Sequence, residues 1–482
     1  MLRGLFQGKQ GSGDLNGHLI SSQRVNRSTL ARLGIRGFPA SLPGMNKPLA
    51  PSAQGTALVI GGGGFVAGFI VARLRQNGWI VKRAVRRGTG SDGALREDEV
   101  LCELRDLMTP EAWYPLLEGV DAVVNAAGIM NEAGKQTFDM VHYRSPLALA
   151  QACEEKDISR FVQISVAGNP EDGEFIASKH KFDDILTQME MDAVILRPAV
   201  VYSTNGSYGA TSLLRAMAGF PWFSMLPGKS TQAIQPVSAD DLGRIAAEAV
   251  DRGRDGIYEV GAPEPIELRN YQQQWRQWLK IPGKNEIEIP EGLVNAQVKT
   301  WELFQSGPLG QTMWKLMRRG NTLGHDAWSK VQEAFGFAPR SVAQVLSSEP
   351  SQVQDRWHAQ LYFLAPTLKF AVVAILLLAA ITNLVGSGAL MTSLAIQLGL
   401  PNLVADLSTP LYGTMELALA AWLGFSKQPR KPIFWIGMLI LAQTLTLAFT
   451  MPDTWLHPLG GLAKNLALLP ALGILWVLSD RR

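Results

Sequence analysis

Two patterns of apolar and polar positions divide this chain. Between Thr56 and about Pro198, short apolar runs at residues 56–60, 79–85, 100–104, 120–127, 160–165 and 192–197 alternate with segments of helical period such as 65–77 and 138–155. Short buried strands separated by helices predict a parallel sheet covered on both faces, a Rossmann-type doubly wound α/β domain. Beyond Leu361 the pattern changes to long apolar runs at 362–385, 410–425, 433–450 and 462–478, with a shorter one at 389–400 that belongs in or near a bilayer interface. At about 1.5 Å per residue each long run is near the length of a bilayer crossing, the second being marginal, so the C-terminus reads as an all-α four-helix transmembrane domain.

The middle of the chain joins these two parts. A small substrate lobe follows Pro198, with Gly, Ser and aromatic residues over 202–223, a helix over 240–251 and a strand over 257–260. Here Trp222, Phe223, Met225 and Leu226 either line an apolar substrate cleft or pack as core under a loop. Residues 285–355 are helical, with Trp301, Phe304, Trp314, Leu316 and Met317 interleaved with Lys315, Arg318 and Arg319. That mixture suits either a membrane surface or ordinary amphipathic packing. At the other end, residues 1–54 set Arg3, Lys9, Arg24, Arg27, Arg32, Arg36 and Lys47 against the single acid Asp14, with no apolar stretch. This excludes a secretory signal peptide and leaves a disordered basic tail or an organelle transit segment, of which the tail, or an over-extended start, is the expectation. The expected division is therefore 1–54, 55–284, 285–355 and 356–482.

Composition adds little to the picture except by exclusion. A chain of 482 residues exceeds what one core serves. The net charge of +3 comes from dispersed cations without a stacking-aromatic pattern, which argues against nucleic acid as a partner. Cys102 and Cys153 read as buried thiols in a reducing compartment. Lys427, Arg430 and Lys431 between the second and third runs, and Arg481 and Arg482 at the end, contrast with a loop carrying only Asp453 and His457. Because basic loops stay inside, this pattern puts the α/β domain and the C-terminus in the cytoplasm, on the inner membrane.

Candidate chemistry begins at Thr56-Ala-Leu-Val-Ile-Gly-Gly-Gly-Gly-Phe-Val-Ala-Gly68. A strand runs through a glycine turn into a helix: Gly61 and Gly64 allow a sharp turn close to a pyrophosphate, Ala67 lets the helix sit near the sheet, and the helix N-terminus presents free N–H groups. The next strand ends in Arg86-Arg87 where an NAD-selective site would carry an acid. With Lys82 and Arg83 nearby, these cations favour a ribose 2′-phosphate, hence NADP, with NAD left open.

Several stretches together resemble the short-chain dehydrogenase/reductase superfamily in its extended, atypical branch, the epimerase/dehydratase-like group that includes the NAD(P)H-binding accessory subunit of respiratory complex I. They are Gly61 to Ala67, Arg105-Asp106-Leu107, Asn125-Ala-Ala-Gly128, Leu196-Arg-Pro-Ala-Val-Val-Tyr202 and Gln235-Pro-Val-Ser-Ala-Asp-Asp-Leu242. The resemblance implies cofactor contacts at Gly61, Gly64, Phe65, Ala67, Arg86, Arg87, Asp106, Leu107, Ala126, Ala127, Gly128, Lys179 and Pro198. In that family a Tyr exchanges a proton with the substrate, a Lys four residues later holds the nicotinamide ribose, and a Ser or Thr orients the carbonyl. The corresponding stretch here is Phe175-Ile-Ala-Ser-Lys179, and the hydroxyl position falls on Ala167. A phenyl ring has no titratable proton. Lys179 and Ser165 are thus the remaining catalytic candidates, while Asp172, Ser178, His180, His142 and Tyr202 are weaker. His180, next to the lysine on a helix, reads as a surface residue. No metal ligand set is assigned.

The tail resembles the DoxX-like membrane domain, in Trp357-His-Ala-Gln-Leu-Tyr-Phe-Leu-Ala-Pro366 and Pro458-Leu-Gly-Gly-Leu-Ala-Lys-Asn465. Glu416 falls inside its second run, where a charge needs a partner, and Lys464 or Lys369 is expected to supply it. The sequence therefore points to a membrane-anchored NADP(H)-binding oxidoreductase-like protein acting on a lipid-soluble or quinone-like substrate. A non-catalytic structural or redox-sensing subunit of a membrane complex is the alternative.

Overall fold

A computed structural model describes residues 54–482 apart from 133, 159, 207, 304–309, 386–389, 457–460 and 480–482. The readings made on residues 1–53, Phe304, Ala389, His457, Pro458 to Gly460, Arg481 and Arg482 lie outside the described residues.

Seven parallel strands form the main sheet: β1 (Thr56–Ile60), β2 (Ile80–Val85), β3 (Glu99–Leu101), β4 (Ala122–Asn125), β5 (Arg160–Ile164), β6 (Asp192–Pro198) and β7 (Gly256–Val260). Their order is β7-β6-β5-β4-β1-β2-β3, with β1 at the point where the direction of winding reverses. Ile60 is in register with both Ala84 of β2 and Asn125 of β4, so the glycine turn emerges between two strand ends. Side chains alternate between two cores. Ala57 and Val59 face one shared with Ile70 and Ile245, and Leu58 and Ile60 face one shared with Leu149 and Phe161.

Two elements depart from the sequence reading for identifiable reasons. β3 ends at Leu101 rather than 104, because β2, its neighbour in the sheet, stops at Val85; after Cys102 donates to the Val85 carbonyl there is nothing left to pair with. The helix expected over 138–155 opens with a π-helical stretch, Asp139–Arg144, before the α-helix Ser145–Glu155. Pro146 lacks the N–H that an α-helical register needs, and the wider turn absorbs the defect.

The lobe is built on short pairs, Val237–Ser238 with Val201–Tyr202, Ile266–Glu267 with Ala233–Ile234, and Glu286–Ile289 with Ser224–Pro227. Its helix Ala239–Arg252 is capped by Ser238, whose hydroxyl accepts from the Asp241 N–H. Asp240 pairs with Arg73 and Asp241 with Arg340, which fastens this helix to its surroundings. In the 285–355 stretch, Trp314, Leu316 and Met317 are buried, and Phe335 packs on Tyr258 of β7 at 4.8 Å between ring centroids. Those apolar side chains belong to packing, not to an open surface.

The C-terminal helices are Val353–Val385, Leu390–Gln397, Asn402–Phe425, Arg430–Thr450 and Asn465–Leu478. Among the described residues, Val353–Val385 and Arg430–Thr450 are long and apolar enough to cross a membrane. Their shared core holds Val372, Leu376, Leu423, Ile436 and Leu475, while Phe370, Leu378 and Phe449 point outward. Glu416 does not meet either expected lysine. Asn383 donates to it at 2.8 Å, whereas Lys369 donates to the Gly424 carbonyl at 3.1 Å, eight residues further along the antiparallel helix. Asn465, beside Lys464, donates to Thr444 at 2.7 Å.

Candidate functional site

The glycine turn is a cradle shaped by close backbone contact. Gly61 has φ +71°, and a Cβ built there would stand 3.0 Å from Ala127 Cα and 3.1 Å from Ala127 N. Only glycine fits both the left-handed backbone and this approach. Opposite it, Asn125 is buried and accepts from the Ala127 N–H while donating to Gln163, which holds the Asn-Ala-Ala-Gly segment in place. Ala126 donates its N–H to the Ile60 carbonyl at 3.1 Å, closing β4 onto β1.

The helix Phe65–Gln76 starts from Gly64 with no side-chain cap and no acidic residue in its first turn. Its leading N–H groups are therefore left for an anion, as a dinucleotide diphosphate requires. Ala67 is buried against the sheet, and Phe65 stacks on Tyr208 of the lobe at 6.1 Å. With Gly63 and Gly64 exposed, the residues present fit the diphosphate of a nicotinamide dinucleotide.

The basic end of β2 is less generous than the sequence suggests. Lys82 donates to the Glu118 carbonyl, and Arg83 pairs with Asp98 and Glu99 of the β3 edge. The hydrogen bond from Arg83 holds the Asp98 carboxyl down to about 2. Glu99 also lies at about 2: burial opposes ionisation, but the Thr89 hydroxyl and the Thr89 and Arg96 N–H groups outweigh it. Arg86 and Arg87 remain exposed, with Arg86 donating to Gln136. Asp106 is exposed beside Arg105, and the Leu107 carbonyl accepts from Trp113. Pro198 ends β6, its carbonyl accepting from the Ala167 N–H at 2.9 Å.

At the other end of the cradle, Lys179 lies buried beneath Gly128, so that a Cβ on Gly128 would be 3.4 Å from Nζ. Nζ donates to the Ile164 carbonyl at 2.9 Å and stands 3.5 Å from the Ala127 carbonyl. Burial lowers the ammonium to about 8. Ser165, the other catalytic candidate, donates to Asp183 at 2.6 Å, and Asp183 also pairs with Arg197. Its proton is thus already engaged. Phe175 is buried among Phe138, Ile176 and Leu316. His180 is not a surface residue: it is buried, with Nε2 2.8 Å from the Val166 carbonyl, because the chain leaving β5 folds over this helix.

The residue that sequence reasoning undervalued is His142. The π-helical turn brings it beneath Ile129, whose N–H donates to Nε2 at 3.0 Å, while Nδ1 lies 2.9 Å from the Ser178 hydroxyl. Burial and then the Lys179 charge push its pKa down to about 2. A neutral ring accepting at Nε2 carries its proton on Nδ1, directed at Ser178. Pro146, early in the helix, is the sequence signal of the shifted turn.

Sheet order and glycine cradle together make a Rossmann-type domain with a turn shaped for a dinucleotide. Residues 61–220 match the family model described as NAD(P)H-binding, and residues 371–473 match that of the DoxX-like family. The chain is 28% identical over 235 residues to a ceramide reductase from Caulobacter vibrioides, a match covering 48% of this chain and 70% of that protein. It is 32% identical over 126 residues to Protein BRI1-5 ENHANCED 1 of Arabidopsis thaliana, covering 23% of this chain and 34% of that one. Among solved structures, a UDP-glucose 4-epimerase from Thermotoga maritima is 15% identical with a TM-score of 0.45, covering 60% of this chain and 96% of that one, a likeness of fold alone. The protein joins an NAD(P)-binding, oxidoreductase-like domain to a DoxX-like membrane domain.

Proposed function

We propose that this protein is a membrane-held reductase that prefers NADP(H) over NAD(H) and acts on a carbonyl-bearing, lipid-soluble substrate at the cytoplasmic face of the bilayer. The observation that carries the reading is Lys179, retained and buried beneath Gly128 at the end of an intact glycine cradle. When bound, the cofactor supplies hydride. Gly61, Gly64 and the N–H groups of the helix Phe65–Gln76 hold its diphosphate. Asp106 and Leu107 take the adenine side, and the exposed Arg86 and Arg87 take a 2′-phosphate. Lys179, held at the Ile164 and Ala127 carbonyls, would fix the nicotinamide ribose. Phe175 has no proton to give and both ring nitrogens of His142 are engaged, so the substrate oxygen takes its proton from water.

Two observations support a lipid as substrate: apolar helices share the chain with the cofactor domain, and the related protein from Caulobacter vibrioides is named a ceramide reductase. A ceramide-like ketone is therefore the first substrate to try and a short-chain quinone the second. The cation-rich Lys427-to-Lys431 connection supports placing that side of the membrane domain in the cytoplasm. The test is loss of reduced-cofactor absorbance when a keto-ceramide is added to the full chain in lipid vesicles with NADPH. Turnover that also disappears in Lys179→Ala supports the reading; turnover unchanged by that substitution overturns the role given to Lys179.

A second reading is favoured by one observation, the packing of Phe175 among Phe138, Ile176 and Leu316. On that reading the cofactor is bound without turnover, and the protein stabilises or reports redox state to a membrane complex. Tight NADPH binding with no oxidation by ketone or quinone is its expected result.

A further inference from the structure

The lobe meets the first apolar helix at one level, and two of its loops converge there. The helix Gly209–Ala218 ends on Gly219, where a built Cβ would stand only 2.7 Å from Ala359 Cβ. Ala359 is buried in a cluster with Leu279 and Ile281 and packs against Trp278, so the start of the loop that follows Trp278 reaches the same point of the helix Val353–Val385. Arg276, itself buried, ties the loops together. Its guanidinium donates to the carbonyls of Ala218 and Phe220 on one side and of Pro282 and Gly283 on the other, at 2.7–3.0 Å. With a longer bond to the Pro221 carbonyl at 3.4 Å, five carbonyls on one buried cation hold the two segments as a unit.

Ala359 precedes the apolar run at 362–385 by three residues, about 4.5 Å along a helix axis. The loop at 219–223 thus stands at the depth where the chain would enter lipid. It carries Trp222, which is 73% exposed, with the Phe220 ring edge-on at 5.6 Å and Phe223 at 4.7 Å from Phe220. Trp357, on the apolar helix itself, is 59% exposed at nearly the same level. Lys280 and Lys284 are exposed on the companion loop. Aromatic rings at the entry depth of an apolar helix, with cations alongside, match the composition of a membrane–water interface.

We propose that residues 219–223 dip their aromatic side chains into the headgroup–acyl boundary of the leaflet that the helix Val353–Val385 enters, with Lys280 and Lys284 over lipid phosphates. The lobe then lies on the bilayer at two points rather than hanging from one helix. This rests on reading Val353–Val385 as a span, and the test separates the two ideas. Cys102 and Cys153 are buried, so cysteines introduced singly as Trp222→Cys, Leu378→Cys or Leu95→Cys can be labelled with a fluorophore in the full chain. Each is placed in vesicles of phosphatidylcholine and phosphatidylglycerol with plain or brominated acyl chains. The expected result is several-fold stronger quenching by brominated lipid at 222 and 378 than at 95. Quenching at 378 with none at 222 overturns the proposal, and so does a label at 222 that is shielded from a water-soluble quencher yet untouched by brominated lipid, which would mean a protein covers it. Absence of quenching at both 222 and 378 overturns the span itself.

Discussion

Gly61→Ala tests the cradle most sharply when it is paired with Gly68→Ala, a substitution seven residues on in the same motif. At Gly61 the backbone is left-handed, which costs an alanine about 1–2 kcal/mol, and the new Cβ would meet Ala127 Cα at 3.0 Å, so the β4 turn must shift as well. At Gly68, the fourth residue of the helix and exposed, a Cβ meets nothing within 4 Å, and alanine gains up to about 0.5–1 kcal/mol of helix preference. The two variants therefore diverge in sign. In detergent, titration by cofactor fluorescence should show Gly61→Ala binding NADPH at least about tenfold more weakly, since about 1.4 kcal/mol is a factor of ten. Its Tm should fall by about 2–4 °C per kcal/mol of strain. Gly68→Ala should bind within about twofold of the parent protein with an equal or higher Tm. Equal binding by Gly61→Ala, or an equal loss in both variants, would refute the assignment of the diphosphate to the contact between Gly61 and Ala127.

Other expectations follow from individual side chains. Burial lowers Lys179 from its ordinary value to about 8, so between about pH 8 and 10.5 the unfolded chain holds a proton the native one lacks, and stability rises with pH across that window. Thermal melts from pH 7.5 to 10.5 should show the parent protein gaining on Lys179→Met by on the order of 3 kcal/mol; parallel curves would contradict the buried charge. Phe175→Tyr should raise ketone reduction in a steady-state assay by up to about 10²–10⁴-fold if the absent hydroxyl limits the proton step, and an unchanged kcat would show that it does not. Arg340→Met strips Asp241, which is 2% exposed, of its bidentate partner, and should cost about 3–5 kcal/mol in a denaturant titration. A cost under about 1 kcal/mol would mean that water replaces the guanidinium.

What the sequence disclosed was local. The strand-glycine-helix order at Thr56 to Gly68 and the Phe175-to-Lys179 spacing need only neighbours in the chain, and the parallel sheet follows from their repetition. What it concealed depended on strands and helices brought together from afar. Arg83 looked available until β3 set Asp98 and Glu99 beside it, and Glu416 took Asn383 because the antiparallel register of two helices puts Lys369 two turns away. His180 seemed exposed by the logic of helix faces, yet its helix is covered on more than one side. His142 depended on a single-turn irregularity that helical periodicity does not register.

The most direct test of the central claim is one titration of the purified full chain in lipid nanodiscs with NADPH and then NADH, followed in the same sample by a keto-ceramide. The account predicts saturable binding that is tighter for NADPH, and oxidation of the bound cofactor once the lipid is added. No binding of either nucleotide would contradict the reading of the Gly61 cradle. Binding without oxidation by the lipid ketone or by a quinone would contradict the reductase and leave the cofactor as a structural or sensing group.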